Sequence, residues 1–238
     1  MVKAMSVRLA LTVAAVWAAA GCGKDDGSQS AAPGRRQAQS AARPTTPAVY
    51  RVVLKSTWTS AKHPFEYPKG AHFSGLIGAS HNAKYRLFGV GRLPTPGLER
   101  LAEEGKHDPL DDEIRAAIAA GNALELFRTR ALKNFRDSLV TTVRVDPAHS
   151  MVSLVAMIAP SPDWFTGTLG FDLVENGAWV ASRTLRLPAF DAGGDDGTTY
   201  RASDRDAKPK KTTARAANRQ FVANGVSVPV AILRFIKQ

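Results

Sequence analysis

Cysteine is almost absent from this sequence, since Cys22 is the only one among 238 residues. A lone cysteine forms no intrachain disulfide and is too few for a cysteine-based zinc site or an iron–sulfur cluster. Acidic residues are also in the minority, with 21 Asp plus Glu against 32 Lys plus Arg, which gives a formal net charge of +11. Hydrophobic residues still make up 44% of the chain, so we expect a basic globular protein rather than a collagen-like or disordered one.

Long apolar segments are missing except near the start of the chain. Lys3 and Arg8 precede an almost unbroken apolar run from Leu9 to Ala20. A membrane-spanning helix needs about 20 apolar residues, whereas about 7 to 15 are typical of a secretory signal. The small residues Ala19-Ala20-Gly21 before Cys22 resemble the lipobox of bacterial lipoproteins, in which the cysteine is acylated after cleavage. The alternative is an ordinary signal peptide with an incidental cysteine.

These features divide the chain into three predicted parts. Residues 1–21 are the signal peptide with its lipobox, and Cys22 is the lipidation site. Residues 22–48 are rich in Gly, Ser, Gln, Ala, Pro and Arg and have almost no large apolar side chain, which is typical of a flexible tether. Gly23 rather than Asp follows the cysteine, a pattern that favours the outer membrane in some Gram-negative lipoproteins. We therefore predict an exported protein of the bacterial cell envelope, anchored in the membrane through lipidated Cys22.

Residues 49–238 show no internal repeat and no second linker, so we predict one folded domain. Its short, β-branched segments indicate strands, whereas the apolar spacing within Pro96 to Ala120 indicates two short helices. The strand-like segments are Tyr50–Lys55, Met151–Ile158, Gly177–Leu187 and Val226–Ile236. The predicted fold is mainly β, an antiparallel β-sandwich with two short helices inserted.

Carboxylates and turn-forming residues concentrate in two segments of this domain. Asp163 follows two prolines just after an apolar strand, and Asp191 and Asp195 lie in a glycine-rich segment. Glycines allow a tight backbone path that can bring several carboxylates around one point. Calcium binds six to eight oxygen ligands of this kind, although the segment does not match the EF-hand pattern. The alternative from the residues alone is a solvated Asp-Gly turn.

An enzymatic interpretation remains open as an alternative. Asp163 and Asp191 could act as paired carboxylates of an envelope-associated hydrolase or saccharide-processing protein, because such enzymes place two carboxyl groups about 5 to 10 Å apart. The sequence contains neither a Gly-x-Ser-x-Gly nucleophile motif nor a Walker-type phosphate loop. We therefore predict no catalytic residue and no enzymatic activity.

A local basic cluster follows the glycine-rich segment and raises the question of a polyanionic partner. The cluster contains no interleaved aromatic residues, and an exported protein is not expected to meet nucleic acid, so we predict no nucleic-acid binding. Two interpretations remain: a solvated loop, or attraction to lipid A phosphates or acidic polysaccharide. The cluster consists of Lys208, Lys210, Lys211 and Arg215.

Several motifs, taken in order, resemble the spondin domain over roughly residues 49–238. The most specific are Ala159-Pro160-Ser161-Pro162-Asp163-Trp164-Phe165 and Asp191-Ala192-Gly193 with Asp195, and the remainder are Trp58, His63-Pro64, Ala71–Gly78, His81 and Ala102–Gly105. The resemblance implies a calcium-binding β-sandwich used for adhesion and ligand binding, as in the F-spondins and mindins, without enzymatic activity. It also implies that Asp163, Asp191 and Asp195 are calcium ligands.

One departure from the animal spondin domains bears on stability. Those domains carry cysteines that pair, whereas residues 49–238 contain none, so the core and the ion are expected to stabilise this one. The predicted function is a calcium-binding, non-enzymatic, extracytoplasmic module for adhesion or ligand binding. Its predicted partners are the membrane, through Cys22, and an unknown extracellular protein, glycan or lipopolysaccharide.

Overall fold

The computed structural model describes residues 43–131 and 138–238. The predicted signal peptide, Cys22 and most of the predicted tether lie outside these residues. Within the described ranges, no helix combines the length and the apolar character needed to cross a membrane.

The described residues form two helices and a series of mostly short strands. The helices are α1 (Pro96–Glu104) and α2 (Leu110–Ala119). The strands are β1 (Ala48–Ser56), β2 (His72–Phe73), β3 (Ile77–His81), β4 (Ala123–Arg128), β5 (Ser138–Val145), β6 (Met151–Ala159), β7 (Trp164–Asp172), β8 (Val174–Glu175), β9 (Ala178–Trp179), β10 (Ser182–Leu187), β11 (Ala189–Asp191), β12 (Ala214–Arg215), β13 (Val222–Ala223), β14 (Val226–Ser227) and β15 (Ala231–Lys237).

Two antiparallel sheets and a helical layer make up the domain. One sheet has four strands in the order β10-β15-β1-β5, and the other has the order β12-β11-β7-β6-β3-β4, with β2 paired to β6. The short strands β8 and β9 pair with each other, as do β13 and β14. All strand pairs in the two large sheets are antiparallel, which confirms the predicted fold class.

The main core lies between the two sheets. Strand β1 alternates buried and outward-facing residues, and Tyr50, Val52 and Leu54 are fully buried on its inner side. This period of two is the expected pattern for a strand with one face in the core. Inward residues of β6 from the second sheet, including Leu154 and Ile158, belong to the same cluster. Fully burying one such aliphatic side chain contributes about 1.5–3 kcal/mol, so this layer supplies much of the stability.

A second core covers the opposite side of the larger sheet. Helix α1 begins where Thr95 Oγ1 accepts a hydrogen bond from the Leu98 N–H at 3.2 Å, and it ends at Gly105, whose φ of 68° is left-handed. These are ordinary signals for the start and the end of a helix. Leu98 and Leu101 of α1 pack with Phe165 of β7 in this cluster. The two sheets and the helices therefore form three layers.

Two of the predicted strands are interrupted. Gly177–Leu187 contains β9 and β10 with Val180 and Ala181 between them, and Val226–Ile236 contains β14 and all of β15 except its last residue. In the first case the carbonyl oxygen of Val180 accepts a hydrogen bond from the Tyr50 hydroxyl at 2.6 Å, while the Val180 N–H donates to the Leu173 carbonyl oxygen outside the strands. In the second case Pro229 precedes β15 and has no N–H to donate to a strand ladder.

Candidate metal centre

Asp163 and Asp191 lie side by side because strands β7 and β11 pair directly. In this antiparallel ladder Asp191, the last residue of β11, is opposite Trp164, the first residue of β7. Ser161 Oγ accepts a hydrogen bond from the Trp164 N–H at 3.0 Å, which fixes the bend that precedes β7. Asp163 therefore lies at the strand end where the chain leaves β11.

The glycine-rich loop folds around one oxygen of Asp163. Asp163 is 0% exposed, and its Oδ2 accepts hydrogen bonds from the N–H groups of Gly193 at 2.8 Å, Gly194 at 2.8 Å and Asp195 at 3.2 Å. Gly193 has a φ of 86°, and a Cβ at this position would lie 2.3 Å from the Lys211 carbonyl oxygen. Glycine is thus required at 193, and the carboxylate of Asp163 organises the loop that carries Asp195.

The other oxygen of Asp163 has no hydrogen-bond partner although it is buried. Glu103, in the last turn of α1, likewise has a buried Oε1 without a partner. Glu103 reaches the loop, because a Cβ added to Gly194 would lie 2.7 Å from its Oε1. We call Glu103, Asp163, Asp191 and Asp195 the acidic site. Buried anionic oxygens without a partner are costly, so these two oxygens are an unfavourable feature of the acidic site as it stands.

Burial and mutual repulsion raise the pKa values of carboxyl groups in this acidic site. Burial first, and then the charges of Glu99 and Asp163, raise the pKa of Glu103 to about 7. Burial and the neighbouring Asp191 raise the pKa of Asp163 to about 6, although the three backbone N–H groups act in the opposite direction. Burial also raises the pKa of Asp191. A cation at this position would reverse all three effects by favouring the ionised forms.

Asp195 also holds the turn that follows it. Its two carboxylate oxygens accept hydrogen bonds from the N–H groups of Gly197 and Arg205. Each oxygen of a carboxylate has a second lone pair, so these bonds leave acceptor capacity for a further ligand. Asp195 therefore contributes to the loop architecture in addition to its negative charge.

Lysines surround the acidic site without entering it. Lys210 pairs with Glu99 of α1, and Lys211 pairs with Asp196 at 2.5 Å. With the longer pair between Lys208 and Asp206, three of the four members of the basic cluster predicted from the sequence are engaged in ion pairs. Lys208 is 83% exposed and lies 3.8 Å from Asp206, and Arg215 is exposed. Since this basic cluster borders a concentration of carboxylates, it is poorly placed to attract a polyanion.

Trp164 closes the inner side of the acidic site. It is fully buried, and its ring packs edge-on against Tyr200 at 5.3 Å and Phe221 at 5.0 Å. The ring belongs to the main core and has no exposed edge for a ligand. Trp164 therefore keeps water away from the carboxylates on that side.

The acidic site contains oxygen donors only, and they do not converge on one point. Among residues 43–131 and 138–238, no three or more His, Cys, Asp or Glu side chains are arranged so that they could hold a metal ion. The structure does bring together the three aspartates predicted from the sequence, and it adds Glu103. Oxygen donors from carboxylates are what calcium prefers, and backbone carbonyls and water commonly complete its six to eight ligands. The described residues therefore supply oxygen donors of the kind that calcium binds, but as they are arranged they do not form a metal-binding group.

Sequence reasoning did not identify Glu103 as a candidate ligand. It lies about 60 residues before Asp163 in the chain and reaches the acidic site only because α1 packs against the larger sheet. A signal was present, since Ala102–Gly105 is among the motifs shared with the spondin domain. The motif by itself does not show that Glu103 faces the aspartates.

Comparison with known protein families identifies the family of the folded domain. A family model described as Spondin_N matches residues 48–224. The chain belongs to the spondin N-terminal domain family. The match covers β1, both helices, the acidic site and the strands that position it.

Curated spondins are similar to this spondin domain over most of its length. Spondin-2 of Rattus norvegicus is 32% identical over 189 residues, which are 76% of this chain and 56% of that protein. Spondin-2 of Homo sapiens is 32% identical over 172 residues, 69% of this chain and 51% of that protein. Spondin-1 of Rattus norvegicus is 30% identical over 172 residues, 69% of this chain and 21% of that protein. The chain spans about half the length of Spondin-2 and about a fifth of Spondin-1.

Proposed function

We propose that this spondin domain is a non-enzymatic, calcium-binding module that captures a ligand outside the cytoplasm. The observation that carries the calcium assignment is the pair of buried oxygens without a partner, Asp163 Oδ1 and Glu103 Oε1, within one group of carboxylates. Glu103, Asp163, Asp191 and Asp195 would hold the ion. The ion would supply the positive charge that these buried carboxylates lack.

Burial supports a structural ion over catalysis. A glycosidase pair needs an open cleft in which a substrate reaches both carboxyl groups. Asp163 is fully buried, and its Oδ2 is occupied by three backbone N–H groups. These contacts explain an ordered loop better than an acid or base that must exchange protons with a substrate.

Calorimetric titration tests the calcium proposal most directly. The whole chain with Cys22→Ser, stripped with a chelator, is titrated with calcium and separately with magnesium. Asp163→Asn and Glu103→Gln should each weaken calcium binding by at least tenfold, because each removes one charged donor. Glu104→Gln is the matched control, since Glu104 is the neighbouring exposed residue whose carboxylate pairs with Lys106. No calcium binding by the parent chain, or equal losses in all three variants, would refute the assignment.

We further propose that the domain is exported and held at the cell envelope by acylated Cys22, with residues 22–48 as the tether. The support is the lipobox-like sequence before the cysteine. A fatty-acid label should attach to the parent protein in cells and not to Cys22→Ser. Labelling of both would show that the cysteine is not the anchor. The captured partner, whether protein, glycan or lipopolysaccharide, would bind the surface of the sandwich.

A further inference from the structure

The outward side of the four-stranded sheet carries five cations. Outward positions alternate with core positions along each strand, and the strand registers place them in rows. Arg51 is opposite Thr142 and Ile236, and Lys55 is opposite Ser138 and Ile232. We define the basic sheet face as the outward side formed by strands β10, β15, β1 and β5. Its cations are Arg51, Lys55, Arg144, Arg186 and Arg234.

This basic sheet face has no negative charge of its own. The outward positions of its four strands contain no Asp or Glu. None of the five cations forms a salt bridge with any residue in the described ranges. The carboxylate of Glu125 contacts β5, where it accepts a hydrogen bond from the backbone N–H of Arg144. Apart from the contact at Arg144, the charges of the basic sheet face are therefore not neutralised by ion pairs within the described ranges.

Aliphatic side chains fill the spaces between these cations. Val49 is 38% exposed and Val140 is 43% exposed, although both lie in regular strands. Val53, Ile232 and Ile236 are partly exposed on the same side. The outward positions of the four strands contain no aromatic residue, no Asn and no Gln. Branched aliphatics between Arg and Lys suit the boundary between lipid headgroups and acyl chains better than a polar polymer.

A cavity opens at one end of the basic sheet face. It has a volume of about 300 Å³ and lies between Lys62 and Arg186, with Ile232 and Pro229 among its lining residues. Two cations beside apolar walls suit a phosphate group attached to an apolar chain. The rest of the surface is broad, because four strands spaced about 4.8 Å apart and side chains repeating about every 7 Å along each strand form a regular lattice.

The acidic site does not oppose contact at this surface. Glu103 lies in the helical layer, on the far side of the larger sheet, whereas the basic sheet face is the outer side of the smaller sheet.

We propose that the basic sheet face binds the surface of a lipid bilayer that contains anionic phospholipid. Cations contact the phosphates, and Val49 and Val140 enter the headgroup region. This inference does not depend on calcium or on acylation of Cys22.

Vesicle co-sedimentation tests the proposal on the whole chain with Cys22→Ser, which cannot be acylated at that position. Binding to vesicles of phosphatidylcholine mixed with phosphatidylglycerol is compared with binding to phosphatidylcholine alone, at low and high salt. The parent chain should prefer the anionic vesicles, and high salt should remove that preference. Equal binding to both kinds of vesicle would overturn the proposal.

Charge variants locate the binding surface. Arg51→Gln, Lys55→Gln, Arg186→Gln and Arg234→Gln together should lower the affinity for anionic vesicles about a hundredfold to a thousandfold. The matched control removes four exposed loop cations with the same change in net charge, namely Lys69, Lys84, Arg201 and Lys208, each replaced by Gln. That control should change the affinity by only a few-fold. Equal losses in both sets would show a response to net charge alone and would overturn the assignment.

Two further variants distinguish lost binding from misfolding and a lipid partner from a polysaccharide partner. Arg51→Lys with Arg234→Lys retains the charges and should retain binding, with an unchanged thermal midpoint. Val49→Ser with Val140→Ser should weaken vesicle binding roughly tenfold, because apolar burial is lost without any change in charge. Unchanged vesicle binding in the serine variant, together with dextran sulfate binding that depends on the four cations, would favour an acidic polysaccharide and refute the lipid proposal.

Discussion

The acidic site and the basic sheet face both concentrate charge of one sign, yet they differ in solvation. Asp163 and Asp195 are buried, and Glu103 and Asp191 are half-buried. Burial and then mutual repulsion raise the pKa of Glu103 to about 7 and that of Asp163 to about 6. The cations are exposed in regular strands, where water and salt screen them. Buried like charges carry a cost that an ion removes, whereas exposed like charges cost little and become important only when a partner approaches.

Removing the central carboxylate should produce the largest effect on folding. Asp163→Ala leaves three N–H groups of the loop without their acceptor, so we expect a loss of roughly 3–5 kcal/mol in the free energy of unfolding without calcium. Asp163→Asn retains an acceptor oxygen and should lose less. Glu104→Ala, on the exposed side of α1, should stay within about 0.5 kcal/mol. Denaturant unfolding measures all three variants. An unchanged free energy of unfolding in Asp163→Ala would show that other contacts hold the loop.

Substitution of the loop glycine should have the next largest effect. Gly193→Ala combines a φ of 86° with a Cβ 2.3 Å from the Lys211 carbonyl oxygen. We expect a loss of about 3 kcal/mol from strain plus overlap. Gly91→Ala is the matched control, because Gly91 has a φ of 79° but nothing within 4 Å of the added Cβ. It should lose only about 1 kcal/mol. If both variants lost the same free energy of unfolding, the effect would come from backbone conformation and not from the close approach of Gly193 to Lys211.

The pH dependence should have an intermediate size and a definite sign. The pKa of Glu103 is raised from 4.5 to about 7, so the folded state holds more protons than the unfolded state between these values. Without calcium, stability is therefore fully retained below about pH 4.5 and falls as the pH rises toward 7. Saturating calcium should reverse this slope, and Glu103→Gln should flatten it. Unfolding curves at several pH values measure this dependence. If the free energy of unfolding of the calcium-free protein rose between pH 4.5 and 7, the result would contradict the assigned acidic site.

Single changes on the basic sheet face should have the smallest effect on stability. Arg234→Gln removes an exposed cation that has no ion-pair partner among the described residues, so the free energy of unfolding should change by less than about 0.5 kcal/mol. Denaturant unfolding of this variant beside Asp163→Ala compares the two charged regions directly. A loss above about 1 kcal/mol would indicate that the cation supports the sheet itself.

Local patterns predicted much of the fold. Strand β6 matches the predicted Met151–Ile158 almost completely, and both helices lie within the predicted Pro96 to Ala120. These elements follow from residue spacing, which the chain carries locally. The interruptions at Val180 and Pro229 were not predicted, because a run of strand-forming residues does not show where a neighbouring strand fails to pair.

Sequence by itself determined the alternation that exposes Arg51 and Lys55, the position of Asp163 after two prolines and the glycines that Asp191 and Asp195 need around them. Only the tertiary structure decided that Glu103 joins the aspartates, since that contact depends on how α1 packs on the larger sheet. Only the strand registers placed Arg51, Arg186 and Arg234 on one surface. The physical reason is that spacing along the chain sets which side of an element a residue occupies, whereas packing between elements sets which side chains meet.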